Sequence, residues 1–77
     1  MGSPVWLIRH IETYGFKYDC EKKKQVTYWD GKKYIFLPKG RTKLHERHVR
    51  DILKNKCNMT PKEIEKFIEK NRDNIHS

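Results

Sequence analysis

The sequence has no run of about 18 apolar residues, so no stretch of it reads as a membrane-spanning helix. It has only two cysteines, Cys20 and Cys57, too few for a disulfide scaffold. A Cys20–Cys57 bridge would need the first strand to end beside the close of the second helix, and a reducing compartment disfavours it. Cys20, His45, His48 and Cys57 are the one set of soft ligands, yet neither Cys-x₂₋₄-Cys nor His-x₃₋₅-His spacing occurs, so no metal and no cofactor is expected. No charged-then-apolar leader with a small-residue cleavage site opens the chain, and the expected location is cytoplasmic. Met1-Gly2-Ser3 reads as an expression remnant, and Trp6 stands where a myristoylation signal needs Ser or Thr. Internal repeats and low-complexity tracts are missing too. A chain of 77 residues buries only about 60% of its unfolded surface, which leaves one small domain without a deep enclosed active site.

What the chain does have is positive charge, and all of the excess lies in its middle. Residues 21–58 hold 12 lysines and arginines against four acids, which is the whole net charge of +8, while both flanks are neutral. Charge gathered on one block creates a local field suited to a polyanion; a solvated lysine face without a partner is the plainer reading. Four Tyr, three Phe and two Trp offset the modest 35% hydrophobic content and argue for a packed fold over a disordered tail.

Element by element, the pattern is α-β-β-β-α-α, an α+β class in which a three-stranded antiparallel sheet packs against helices. Leu7, Ile8 and Ile11 give one helical face between Pro4 and Tyr14, with Gly15 as the stop. Phe16–Asp19 and Gln25–Trp29 alternate as strands, Val26 and Tyr28 pointing one way and Thr27 and Trp29 the other. Asp30-Gly31 signals a two-residue type I′ hairpin turn into Tyr34–Leu37, which Pro38 ends. A second helix is predicted from Leu44 to Lys56 on the stripe Val49, Ile52, Leu53. Thr60, Pro61 and Glu63 form a capping box for the last helix, with Met59 and Ile64 as its staple. The domain is expected to run over 4–71, with residues 72–77 a frayed tail.

Three features resemble the HicA family of toxins, small mRNA interferases with a double-stranded-RNA-binding-domain-like fold. They are the leading helix ending in Tyr14-Gly15-Phe16, the hairpin Asp30-Gly31-Lys32-Lys33 leading to a strand that closes at Leu37-Pro38, and the helix His48-Val49-Arg50-Asp51-Ile52-Leu53-Lys54 followed by Met59-Thr60-Pro61. The likeness spans roughly residues 6–68 and implies an RNA-binding, toxin–antitoxin-related protein. The family's catalytic His enters the second strand within a Gly-Ser-His-type motif. Here that stretch is Lys22-Lys23-Lys24-Gln25-Val26, without a His, so the resemblance implies RNA binding more firmly than cleavage.

Candidate nucleic-acid-binding residues are Lys22, Lys23 and Lys24 before strand two, Lys32 and Lys33 at the hairpin turn, and Lys39, Arg41 and Lys43 after strand three. In a meander the first and last of these clusters share one end of the sheet, with about six cations between them. Lysines neutralise phosphates without reading bases, so RNA is favoured as ligand with little sequence preference. Tyr28, Trp29 and Tyr34 could stack on unpaired bases where they face water, although such aromatics are more often core. Metal-independent endoribonuclease activity would need His45 or His48 as base, since lysine is protonated near neutrality. Binding is therefore favoured over catalysis. Two alternatives remain: an interaction or inhibitor module for an acidic protein, such as an antitoxin or a nucleic-acid enzyme, and double-stranded DNA binding through helices two and three with Arg47 and Arg50 on phosphates.

Overall fold

The alternation of Gln25–Trp29 and Tyr34–Pro38 produces the hairpin on which the sheet is built, and a computed structural model describing residues 2–76 gives its register. The order of elements is α-β-β-β-α-α, an α+β architecture with three helices and a wholly antiparallel three-stranded sheet. Contacts group the chain into two compact units, Met1–Thr42 and Lys43–Ser77, where the sequence suggests one domain over 4–71.

In the first unit, α1 (Val5–Glu12) buries Leu7 and Ile11 completely. Gly15, at φ 93°, supplies the left-handed residue that turns the chain out of the helix, a conformation other side chains resist. Strands β1 (Lys17–Glu21), β2 (Gln25–Trp29) and β3 (Tyr34–Pro38) follow in the spatial order β1-β2-β3. Tyr18 lies opposite Tyr28, which lies opposite Ile35; Glu21, Val26 and Leu37 form the next row on the same face. Pro4 and Ile8 line a cleft of about 440 Å³ with Tyr18, Val26, Tyr28 and Leu37 of that face, so this is the side α1 covers. The opposite face carries Lys17, Trp29 and Tyr34 in one row and Cys20, Thr27 and Phe36 in the next. A bulge between Tyr18 and Cys20 keeps β1 in step with β2.

The hairpin turn is one residue further on than Asp30-Gly31 suggests. Asp30 N–H donates to Lys33 O at 3.3 Å, so Gly31 and Lys32 are the central pair. Of the two, Gly31 takes the positive φ, at 101°, and Lys32 does not. The type I′ expectation therefore fails. Its cause is the Asp30 carboxylate, whose Oδ1 accepts the amides of Lys32 (2.8 Å) and Lys33 (2.7 Å) and fixes the turn around itself.

In the second unit the predicted helix over Leu44–Lys56 is three local structures. Leu44–His45 (β4) is extended, Glu46–Asp51 (α2) is helical, and Ile52–Lys56 is a wider π turn. Asn58, at φ 55°, ends it in the left-handed conformation that Asn tolerates better than most residues. Helix α3 (Pro61–Lys70) begins as its sequence dictates: Thr60 Oγ1 accepts from Glu63 N–H at 3.2 Å, and Glu63 Oε1 accepts from Thr60 N–H at 2.9 Å. Met59, Ile64 and Ile68 are buried.

The frayed tail is corrected outright over its described part. Arg72–Asn74 makes a 3₁₀ turn, and Ile75–His76 (β5) pairs in parallel with β4, Leu44 opposite Ile75 and His45 opposite His76. Ile75 is buried, and that apolar burial holds the segment where propensity alone would let it go.

Glu46 sits at the centre of an ion-pair network. It accepts from Arg50 (2.8 Å) and Arg72 (2.9 Å); Arg50 also meets Glu65 (2.5 Å), and Arg72 meets Glu69. Hydrogen bonds from Arg50 and then Arg72 hold the Glu46 carboxyl below its ordinary value of 4.5. Because folding lowers this pKa, the stabilisation is complete above the unfolded value and is lost as pH falls through the folded one. Thermal melts followed by circular dichroism should show Tm dropping below pH 4.5, and dropping less steeply in Glu46→Gln.

Candidate functional site

Lys22, Lys23 and Lys24 form the connection from β1 to β2, and all three are exposed. Lys22 N–H donates to Gln25 O at 2.8 Å and closes that turn. The chain leaving β3 returns to the same place, because Lys39 N–H donates to Lys24 O at 3.1 Å, one step beyond the Gln25–Pro38 pair. Two of the sequence-predicted clusters are thus joined through the backbone at one end of the sheet. Trp6 Nε1–H donates to Thr42 O at 2.7 Å and ties the far end of the loop to α1.

The cations gathered there are not equivalent. Lys39 Nζ lies 2.6 Å from Glu21 Oε2, so part of its charge is already answered. Lys22, Lys23, Lys24 and Arg41 are exposed. Lys43 opens the second unit. Lys32 and Lys33 belong to the opposite end of the hairpin, held by their amides on Asp30. The site as expected from sequence therefore divides into an end cluster of Lys22–Lys24, Lys39 and Arg41, and a distal pair at the turn.

The outer face of the sheet adds what the charge pattern does not contain. Trp29 and Tyr34 are each 43% exposed and Phe36 is 49% exposed. Their rings form a near-parallel series: Trp29 and Tyr34 have centroids 5.9 Å apart at 18°, and Tyr34 and Phe36 are 6.2 Å apart at 12°. Thr27, 3% exposed, sits on the same face opposite Phe36. Tyr28 is excluded from this face. It is buried beside Tyr18 with rings edge-on at 6.1 Å, and burial, then Glu12, then Tyr18 push its hydroxyl pKa up. Phe36 was legible in principle, since it shares strand parity with Tyr34, but Tyr34-Ile35-Phe36-Leu37 is apolar throughout and alternation of polarity gives no warning.

Of the two histidines weighed as bases, His45 has other partners. His45 caps α2, its Nδ1 accepting the Arg47 N–H at 3.1 Å, and its ring meets His76 edge-on at 5.7 Å. His48 shares a shallow surface depression with His45, Arg47 and Asp51. Structural duty thus accounts for one nitrogen of His45, and both imidazoles belong to the second unit. Arg50, weighed as a phosphate contact, is held by Glu46 and Glu65. Neither Cys20 nor Cys57 is in a disulfide. Among the described residues no group of three or more His, Cys, Asp and Glu side chains converges on a metal position, and no helix is long and apolar enough to cross a membrane.

Comparison with protein-family models, with curated proteins and with solved structures finds no match for this chain. The function rests on the geometry above.

Proposed function

We propose that this is a small RNA-binding protein of the cytoplasm that acts by binding rather than by cleavage, related in its motif order to HicA-like toxin–antitoxin components. One observation carries the reading: the Lys39–Lys24 backbone hydrogen bond holds two cationic segments together on an otherwise small body. Four exposed cations, Lys22, Lys23, Lys24 and Arg41, with Lys39 and its partner Glu21 beside them, make a predominantly positive patch that a phosphate chain can follow. Lysines supply point charges, and Arg41 is the single guanidinium among these residues, which suits affinity without strong sequence preference.

The test is RNA binding under rising salt. Four cations engaging phosphates of a single strand give a slope of about −2.8 in log K against log salt, at about 0.7 per phosphate. Between 50 and 200 mM salt the affinity for a fluorescein-labelled RNA should then fall about fifty-fold by anisotropy titration. No binding at low salt, or binding indifferent to salt, sinks the proposal. Nuclease-insensitive co-purification with one acidic protein would instead support the interaction-module alternative.

A further inference from the structure

Three aromatic rings on water are an odd use of a chain with only 35% hydrophobic residues. Single exposed apolar side chains are ordinary, but a contiguous set on one face calls for a partner. Phe36 makes the point most sharply, because it has no polar edge to satisfy in solvent and is nonetheless 49% exposed. Its strand neighbours Ile35 and Leu37 are each 1% exposed on the covered side, so β3 divides its apolar residues between the core and an open surface.

Charge surrounds the open surface at both ends. Lys17 lies directly opposite Trp29 on the same face. At the other end the row of Gln25 and Pro38 leads straight into Lys24 and Lys39. From the Trp29 row to the Gln25 row is four residues, roughly 13 Å at the rise of a β-strand. An apolar protein partner would be poorly served by lysines at both borders, whereas a polynucleotide needs cations for phosphates and flat apolar surface for bases.

We infer that the outer sheet face, through Trp29, Tyr34 and Phe36, is a stacking platform for unpaired bases, so that the ligand class is single-stranded rather than double-stranded nucleic acid. This rests on the proposed nucleic-acid-binding function and narrows it. In a duplex the π-faces are consumed by the helix's own stack, and only phosphates and groove edges are offered; the lysines could use those, the rings could not. In a single strand the bases turn outward and each presents a face that any aromatic side chain can meet, whatever the base. The rings are held ready for this. Each neighbouring pair is aligned within 18° on strands whose register is fixed by pairing, so little side-chain freedom remains to be lost on binding.

The experiment uses the whole protein with a fluorescein-labelled, unstructured 12-nucleotide single strand, in RNA and DNA forms, and with the corresponding duplex. Wild type is expected to prefer the single strand at least tenfold at equal salt. Trp29→Ala, Tyr34→Ala and Phe36→Ala should each weaken single-strand binding by roughly 5- to 150-fold, leaving duplex binding unchanged and circular dichroism native. The wild-type preference is read without any variant, so a variant that misfolds does not remove the test. Equal binding of single strand and duplex, or silent ring variants, overturns the inference and leaves the cationic reading standing. Failure of every oligonucleotide to bind at low salt removes both. Ring variants that disperse a self-associated or protein-bound form while single-strand binding persists also overturn it, assigning the face to protein contact. RNA and DNA binding alike supports the platform with both sugars, while loss of the DNA arm confines it to RNA.

Discussion

Exchange of Lys22, Lys23 and Lys24 together for glutamine is expected to reduce the slope of log K against log salt from about −2.8 to about −0.7, leaving Arg41 of the four cations counted. The affinity lost between 50 and 200 mM salt then shrinks from about fifty-fold to about threefold. The physical reason is that the favourable term is release of counterions condensed on the nucleic acid, and each lysine removed leaves one set in place. Glutamine keeps length and polarity, and all three positions are exposed in a turn, so fold stability should change little. Glu21→Gln should act in the opposite sense, because it frees Lys39 from its 2.6 Å partner and adds one cation to the count. Unchanged salt slopes across this series would show that the cluster does not meet phosphate, even if binding is seen.

The second large effect concerns the C-terminal strand. Ile75→Ala is expected to cost about 2–3 kcal/mol, the lower part of the range for truncating a buried isoleucine, because a chain end can partly close around the void. Ile75→Asp should cost more, since the carboxylate must either lose its water or pull β5 away from β4. Urea denaturation monitored by circular dichroism at 222 nm reads both, with the shift in midpoint as the measure. A frayed tail would give neither effect. The pairing of Leu44 with Ile75 and His45 with His76 predicts both, and also predicts that His45 loses its edge-on contact with His76 when β5 detaches.

These two sites show how differently the chain exposes its own structure. The capping box at Thr60 and Glu63, the strand Gln25–Trp29 and the stops at Gly15 and Pro38 are readable from neighbours within a few residues, because their energies come from local hydrogen bonds, backbone torsions and alternation. The hairpin turn was missed by one residue for an equally local reason: Asp30 acts through its side chain, and a dipeptide rule based on φ alone does not see a carboxylate competing for two amides. Extending the second helix back to Leu44 failed for a different cause. His45 is extended as the N-cap of α2, its Nδ1 on the Arg47 amide, and pairing with Ile75 and His76 holds Leu44 and His45 in that form.

Sequence by itself determined the α-β-β-β-α-α order, the concentration of charge between residues 21 and 58 and the local caps and stops. Tertiary structure alone decided that the Lys22–Lys24 turn is bonded to Lys39, that Glu21 takes up Lys39, and that Ile75 closes against Leu44. It also decided which half of an alternating strand is covered. Periodicity divides Val26 and Tyr28 from Thr27 and Trp29, and Ile35 and Leu37 from Tyr34 and Phe36, but both halves of β3 are apolar and each would gain by burial. The choice depends on which side α1 occupies, and that is a contact between segments distant in the chain, whose free energy no short window of residues contains.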